Sequence, residues 1–218
     1  MSAVSSSSSS SPLFDSAALP GWFGKLPGMG DFAHRRLPDG FRAVWDQWLQ
    51  RGMARLRERH ADWVERYLEA PVWCFVLGAR VAGERAWVGV LMPSVDGVGR
   101  YFPFVLAVEL DASVPEVLQG DGLVDVLRWW GLGTRAVLEG LEGDLDALRF
   151  DAVLQRLFVD EGVSEPREVV VESLGLPVAG ASLWMGDPFA SQGIRLLSTG
   201  LPRDEQFDAL FLGFAEEG

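Results

Sequence analysis

Lysine is nearly absent from this 218-residue chain: Lys25 stands alone against 18 arginines. That bias favours planar, bidentate pairing with carboxylates. Cysteine is as scarce. Cys74 has no second thiol to pair with, so no intramolecular disulfide can form and a reducing compartment fits. It sits in an apolar run and reads as a buried small hydrophobe. His34 and His60 are the two histidines, and without nearby cysteines they make a poor zinc set. Asp31 and His34 are spaced to supply two ligands, but no third is evident, and no metal or other cofactor is expected. Positive charge is short overall. A formal charge of −12 argues against nucleic acid and against adsorption to anionic membranes. No run approaches the ~18 apolar residues that cross a bilayer, so membrane insertion is not expected. The first residues, MSAVSSSSSSSPLFD, have neither the basic region nor the apolar core of a secretory signal. Residues 1–16 read as a disordered serine-rich tail, residues 17–218 as one domain, and the location as cytoplasmic.

What is present is apolar and aromatic. Apolar residues make up 48% of the chain, enough for a substantial core. Trp22 to Leu26 is a candidate first strand, followed by the turn-permitting Gly28 and Gly30. Pro38 and Asp39 signal a helix start with Asp39 as the N-cap. Phe41, Val44, Trp45, Trp48, Leu49, Met53 and Leu56 then recur at helical spacing on one face. The pattern resumes at Trp63 and stops before Pro71, as one long helix or two joined near His60. Val72–Gly78 and Ala86–Met92 read as a hairpin, and Arg100–Leu110 as a third strand. Residues 115–160 look helical, Val117 and Leu118 included, with Asp144 as a further cap. Trp129 and Trp130 are neighbours on that helix, which leaves one of them expected at the surface. Glu168–Val171, Ala181–Met185 and Ile194–Leu197 are short strand candidates, and Asp204 opens a last helix. Strands joined by short turns are antiparallel, and there is no regular βαβ alternation. The expected fold is α+β: an antiparallel or mixed central sheet with helices packed on it.

Catalytic signals are weak. Gly28-Met-Gly30-Asp-Phe-Ala33 matches a dinucleotide fingerprint formally, but Pro38 intervenes before the helix and the acidic residue ~20 positions on is missing. A Ser94–His34–Asp96 triad can be drawn on paper, yet no G-x-S-x-G elbow supports it. Asp96 and Arg100 bracket the turn glycines of SVDGVGR, as a loop-locking ion pair or as a solvated hairpin tip. Lys25 reads as a salt-bridge or partner-contact residue. With Arg35 and Arg36 it makes either a basic patch for an acidic partner or a set of pairs with the chain's own carboxylates. Candidate partner-binding residues are therefore Lys25, Asp31, Arg35, Arg36, Ser94, Asp96 and Arg100. Charge reversal at Arg35 and Arg36 is expected to weaken partner binding and leave the fold intact.

The blocks GWFGKLPGMGDFAHRRLP, FRAVWDQWL, PVWCFVL, WVGVLMPSVDGVGRYFPFVLA, SLWMG and GLPRDEQFDALF occur in order from Gly21 to Phe211. Together they resemble the TagF family of type VI secretion-associated proteins. The resemblance implies a non-enzymatic accessory protein, a post-translational repressor acting on the cytoplasmic forkhead-associated (FHA) scaffold of the machine. Some relatives carry a fused phosphatase domain, and no phosphatase activity is carried over to this chain. Met185 and Met29 depart from the family pattern, which bears on partner preference rather than fold. Two rival readings are a hydrolase-like enzyme using Asp31, His34 and Asp96, and a structural subunit of the apparatus.

Overall fold

In the computed structural model, the residues described are 19–110, 116–160, 172–190 and 193–213. The serine-rich tail and the Glu168–Val171 strand candidate lie outside them. The chain begins with a hairpin of β1 (Gly21–Lys25) and β2 (Phe32–Arg35), followed by α1 (Asp39–Arg59) and α2 (Trp63–Glu69). Next come β3 (Trp73–Leu77), β4 (Trp87–Met92), β5 (Phe104–Glu109) and β6 (Val117–Gln119). Helices α3 (Gly120–Glu142) and α4 (Ala147–Gln155) follow, and α4 runs into a π-helical turn over Arg156–Asp160. The chain continues through β7 (Ser173–Gly175), β8 (Ala181–Met185), β9 (Arg195–Thr199) and α5 (Glu205–Leu212).

Seven strands form one sheet in the order β2-β1-β5-β4-β3-β8-β9, with every pairing antiparallel. Strands β6 and β7 make a separate two-stranded ladder. The sheet is buried on both faces, and for that reason β3 and β4 read as continuous apolar runs rather than alternating ones. Trp22, Cys74, Val76, Val88, Val90 and Leu106 point to the side covered by α3 and α4. Phe23, Trp73, Phe75, Leu77, Leu91 and Val105 point to the side covered by α1, α2 and α5. On that second side Trp45 packs on Phe75 at 5.1 Å and on Trp48 at 4.8 Å. Such aromatic pairs add about 0.5–1.5 kcal/mol each beyond the area they bury.

Several local expectations change. The first helical residue of α1 is Asp39, and Pro38 occupies the N-cap without a side-chain cap. The Asp39 carboxylate pairs with Arg42 three residues on instead. Of the two alternatives for the long helical pattern, the structure has two helices joined near His60, because His60 is extended (φ −127°, ψ 109°). Asp146 rather than Asp144 caps α4: its carboxylate accepts the N–H groups of Leu148 and Arg149, both at 2.9 Å. Asp144 instead takes a left-handed φ of 47° in the turn from α3. Val117 and Leu118 are strand, held by residues 173–175. Trp129 and Trp130 are both buried, because α3 is covered by the sheet on one side and by the π-helical turn, through Phe158, on another.

Candidate partner-binding site

Strand β1 delivers Lys25 into the interior from a backbone that only glycine tolerates. Gly24 has φ 137°, and a Cβ there would sit 2.5 Å from the Pro103 carbonyl oxygen. The loop between β4 and β5 folds back over this point. Gly97 N–H donates to the Met29 carbonyl at 2.9 Å, which ties the loop to the β1–β2 turn. Gly28 closes the same turn against the α3–α4 connection, where a Cβ would meet the Asp144 carbonyl oxygen at 2.3 Å. The glycines of the apparent dinucleotide fingerprint are thus hairpin-turn residues, with a strand and no helix directly after them.

Asp96 is the centre of the loop and is fully enclosed. It accepts from Lys25 Nζ, from Arg100 Nε at 2.8 Å, and from the backbone N–H groups of Arg100 at 2.8 Å and Val98 at 3.1 Å. Burial by itself raises the Asp96 carboxyl. The Lys25, Arg100 and Val98 donors outweigh burial and hold it well below the usual carboxylate range. Ser94 is buried beside it and donates its hydroxyl to the Lys25 carbonyl at 2.7 Å. The Tyr67 hydroxyl receives the Ser94 N–H at 2.9 Å and donates to the Ser94 carbonyl at 3.1 Å. Burial pushes that hydroxyl far above the usual phenol range. A second guanidinium nitrogen of Arg100 donates to the Gly30 carbonyl. The sequence-level ion pair of Asp96 and Arg100 is therefore present, and Lys25 joins it from 71 residues away.

An aromatic groove of about 500 Å³ opens over this cluster, between α1 and the strands. Phe32 is exposed and packs edge-on to Phe102 at 4.8 Å, with Lys25 Nζ 4.6 Å from its ring centre. Across the groove Arg57 lies 4.6 Å over the Trp63 ring and donates to the Tyr101 carbonyl at 3.1 Å. Ala54 of α1 is exposed on the groove wall. Phe32, Arg57, Trp63 and Tyr101 were not among the residues singled out from the sequence. The dense Arg100-Tyr-Phe-Pro-Phe run was a signal for Tyr101, and nothing local marks Phe32, Arg57 or Trp63 as groove residues.

The remaining sequence candidates lie elsewhere. Arg35 Nε and Arg36 Nη2 approach Asp151 of α4 at 2.9 and 2.5 Å, and Trp22 donates to the same carboxylate at 3.0 Å. Burial raises the Asp151 carboxyl, and its Arg36, Trp22 and Arg35 neighbours pull it below its ordinary value. Arg35 and Arg36 are thus a clamp between the edge of the sheet and α4, and charge reversal there is expected to cost stability as well as change the surface. Asp31 is exposed and accepts the Phe32 N–H at 2.8 Å. His34 is exposed on β2 and makes no hydrogen bond to Asp31 or Asp96 among the described residues. Asp31 and His34 are exposed, whereas Asp96 is enclosed and bonded to Lys25 and Arg100, and the Ser94 hydroxyl is committed to a carbonyl. Among the described residues no group of three or more His, Cys, Asp or Glu is placed to hold a metal ion. Cys74 is buried, and burial pushes its thiol up to about 12, far from a reactive thiolate. No described helix is long and apolar enough to cross a membrane.

Comparison with known proteins settles the family. Residues 21–157, which hold the whole Lys25–Asp96–Arg100 cluster and its groove, match the model of the TagF N-terminal domain, described as type VI secretion system-associated. The chain belongs to the TagF family. Among solved structures it resembles the crystal structure of PA0076 from Pseudomonas aeruginosa PAO1, with a TM-score of 0.69 and 31% sequence identity. That similarity spans 90% of this chain and 96% of the other. No curated protein matches it. The TagF-matching segment ends just inside the π-helical turn, so β7 to β9 and α5 lie beyond it.

Proposed function

We propose that this TagF-family chain is a non-enzymatic regulator of type VI secretion, a post-translational repressor that works in the cytoplasm by binding the machine's FHA scaffold. One observation carries the reading. Lys25, Asp96 and Arg100 bond to one another, and what they hold open to solvent is an aromatic groove. Aromatic side chains rigidly mounted at a surface are favoured anchors for a protein partner. Phe32, Trp63 and Tyr101 provide the anchors, and Arg57 and Arg100 provide charge at the rim.

FHA domains commonly read phosphothreonine, and this chain has two threonines, Thr134 and Thr199. Thr134 is half-buried on α3, 3.9 Å from Cys74 Sγ, and Thr199 ends the edge strand β9. Neither lies on the groove, which favours surface-to-surface contact over a phosphothreonine tether. The test is co-elution with the FHA scaffold from the same gene cluster, before and after the scaffold is treated with phosphatase. A stable complex in both states is the expected outcome. No complex in either state overturns repression by binding.

A further inference from the structure

On the opposite flank of α1 a second cavity, of about 360 Å³, gathers positive charge in a chain that is otherwise strongly acidic. Arg51, Arg55 and Arg59 reach it from successive turns of α1, Arg80 from the turn after β3, and Arg203 from the segment before α5. Among the described residues, Asp204 is the single carboxylate in its wall. Asp204 takes up Arg55 at 2.6 Å, and Asp208 takes up Arg59 at 2.6 Å. Among the described residues, the guanidinium groups of Arg51, Arg80 and Arg203 have no hydrogen-bonding or ionic partner. All three are exposed.

The floor of the cavity is apolar: Val44, Trp48, Val81, Leu201 and Phe207 line it. The Trp48 indole N–H is already spent on the Pro202 carbonyl at 2.6 Å, so the floor offers hydrocarbon and no free indole donor. Two rim residues that are not glycine hold left-handed backbone, Arg80 at φ 70° and Asp204 at φ 50°. Such conformations are strained and concentrate at active sites, ligand clamps and switch regions.

We infer that this cavity docks an acidic segment of a partner protein, with carboxylates on Arg51, Arg80 and Arg203 and an apolar side chain between them on the Val44–Phe207 floor. Charge complementarity sets the sign of the occupant, and guanidinium groups pair bidentately with carboxylates. The floor sets its second requirement, because a bare inorganic anion would leave the hydrocarbon uncovered. A volume at the small end of ligand sites suits one side chain rather than a large cofactor. Trp48 is 9% exposed, too little to serve as a stacking platform for a nucleobase. The inference is independent of the scaffold reading, since the two hollows lie on different flanks of α1.

The test is fluorescence anisotropy with the labelled heptapeptide Asp-Glu-Glu-Phe-Glu-Glu-Asp, the same peptide with Gly for Phe, and inorganic phosphate as competitor. Saturable binding in the micromolar range is expected. It should weaken at least tenfold in the Arg51→Glu/Arg203→Glu variant, at least threefold for the Gly peptide, and progressively with salt. Circular dichroism and the thermal midpoint confirm that the variant is folded. Ala54→Arg, on the other flank, leaves peptide binding unchanged and separates this site from the aromatic groove. No saturable binding, equal binding by the variant, or full displacement by millimolar phosphate at low salt overturns the inference.

Discussion

Helix α1 divides two hollows whose charges meet opposite fates. On one flank Lys25, Asp96 and Arg100 are bonded to one another and to backbone, and the surface above them is aromatic. On the other, three guanidinium groups have no partner among the described residues. The difference follows from where the acids are. Asp96 lies in a loop that folds back onto β1, so it meets a lysine in the interior and an arginine that reaches in from the surface. Asp204 and Asp208 reach two of the five arginines across the cavity and leave the others to solvent. A cluster of charges in a sequence thus stands for two different things. One is a lock that builds a surface, and the other is the surface itself.

The comparison breaks most visibly at Asp96. Asp96→Ala strands Lys25 in the interior and removes the acceptor for two loop N–H groups, for an expected loss of about 3–5 kcal/mol in unfolding free energy by urea denaturation. Lys25→Met costs less, because Arg100 and the backbone donors still serve Asp96. A Lys25→Met/Asp96→Asn double variant should be less destabilised than the sum of its singles, and simple additivity would show that the pair is not coupled.

The same pair carries a pH signature. The Asp96 carboxyl is lowered in the folded state, so its contribution is complete above the unfolded value of about 4 and is lost as pH falls towards the folded value. Stability should therefore decline with acid below about pH 4. Asp96→Asn should flatten that limb, leaving the parts from Asp146 and Asp151, which are also lowered. An unchanged acid limb in the Asn variant contradicts the assignment.

A smaller effect is expected at the edge clamp. Asp151→Ala frees Arg35, Arg36 and the Trp22 indole N–H, and about 1–2 kcal/mol should be lost, since the pairs are partly solvated. The smallest effect on stability belongs to the free arginines. Arg51→Glu/Arg203→Glu should change unfolding free energy by no more than about 0.5 kcal/mol, whereas a loss of the Asp96 kind would mean that those arginines are a lock too.

Local periodicity made part of this legible. The buried stripe of α1, with the exception of the exposed Val44, and the β3–β4 hairpin follow from spacing alone, and Asp96–Arg100 follows from its position around a turn. The Lys25–Asp96 pair had no local signal, because it joins residues brought together by the sheet order β1-β5-β4. Strand β2 was missed for a related reason. Its four residues alternate between exposed and half-buried, and its register is imposed by β1. Asp144 and Asp146 are two residues apart with the same side chain, and the backbone of the α3–α4 turn decides which one caps. Trp129 and Trp130 look incompatible on one helix face until a second layer, the π-helical turn, covers the other face.

The most direct test of the account is a binding isotherm of the FHA scaffold against wild type and Ala54→Arg. Ala54 is exposed on α1 and its replacement puts a long charged side chain into the aromatic groove without touching the Lys25–Asp96 lock. The account predicts at least a tenfold loss of scaffold affinity with an unchanged thermal midpoint. Wild-type affinity in the folded variant would contradict it, and would remove the aromatic groove as the partner-binding surface.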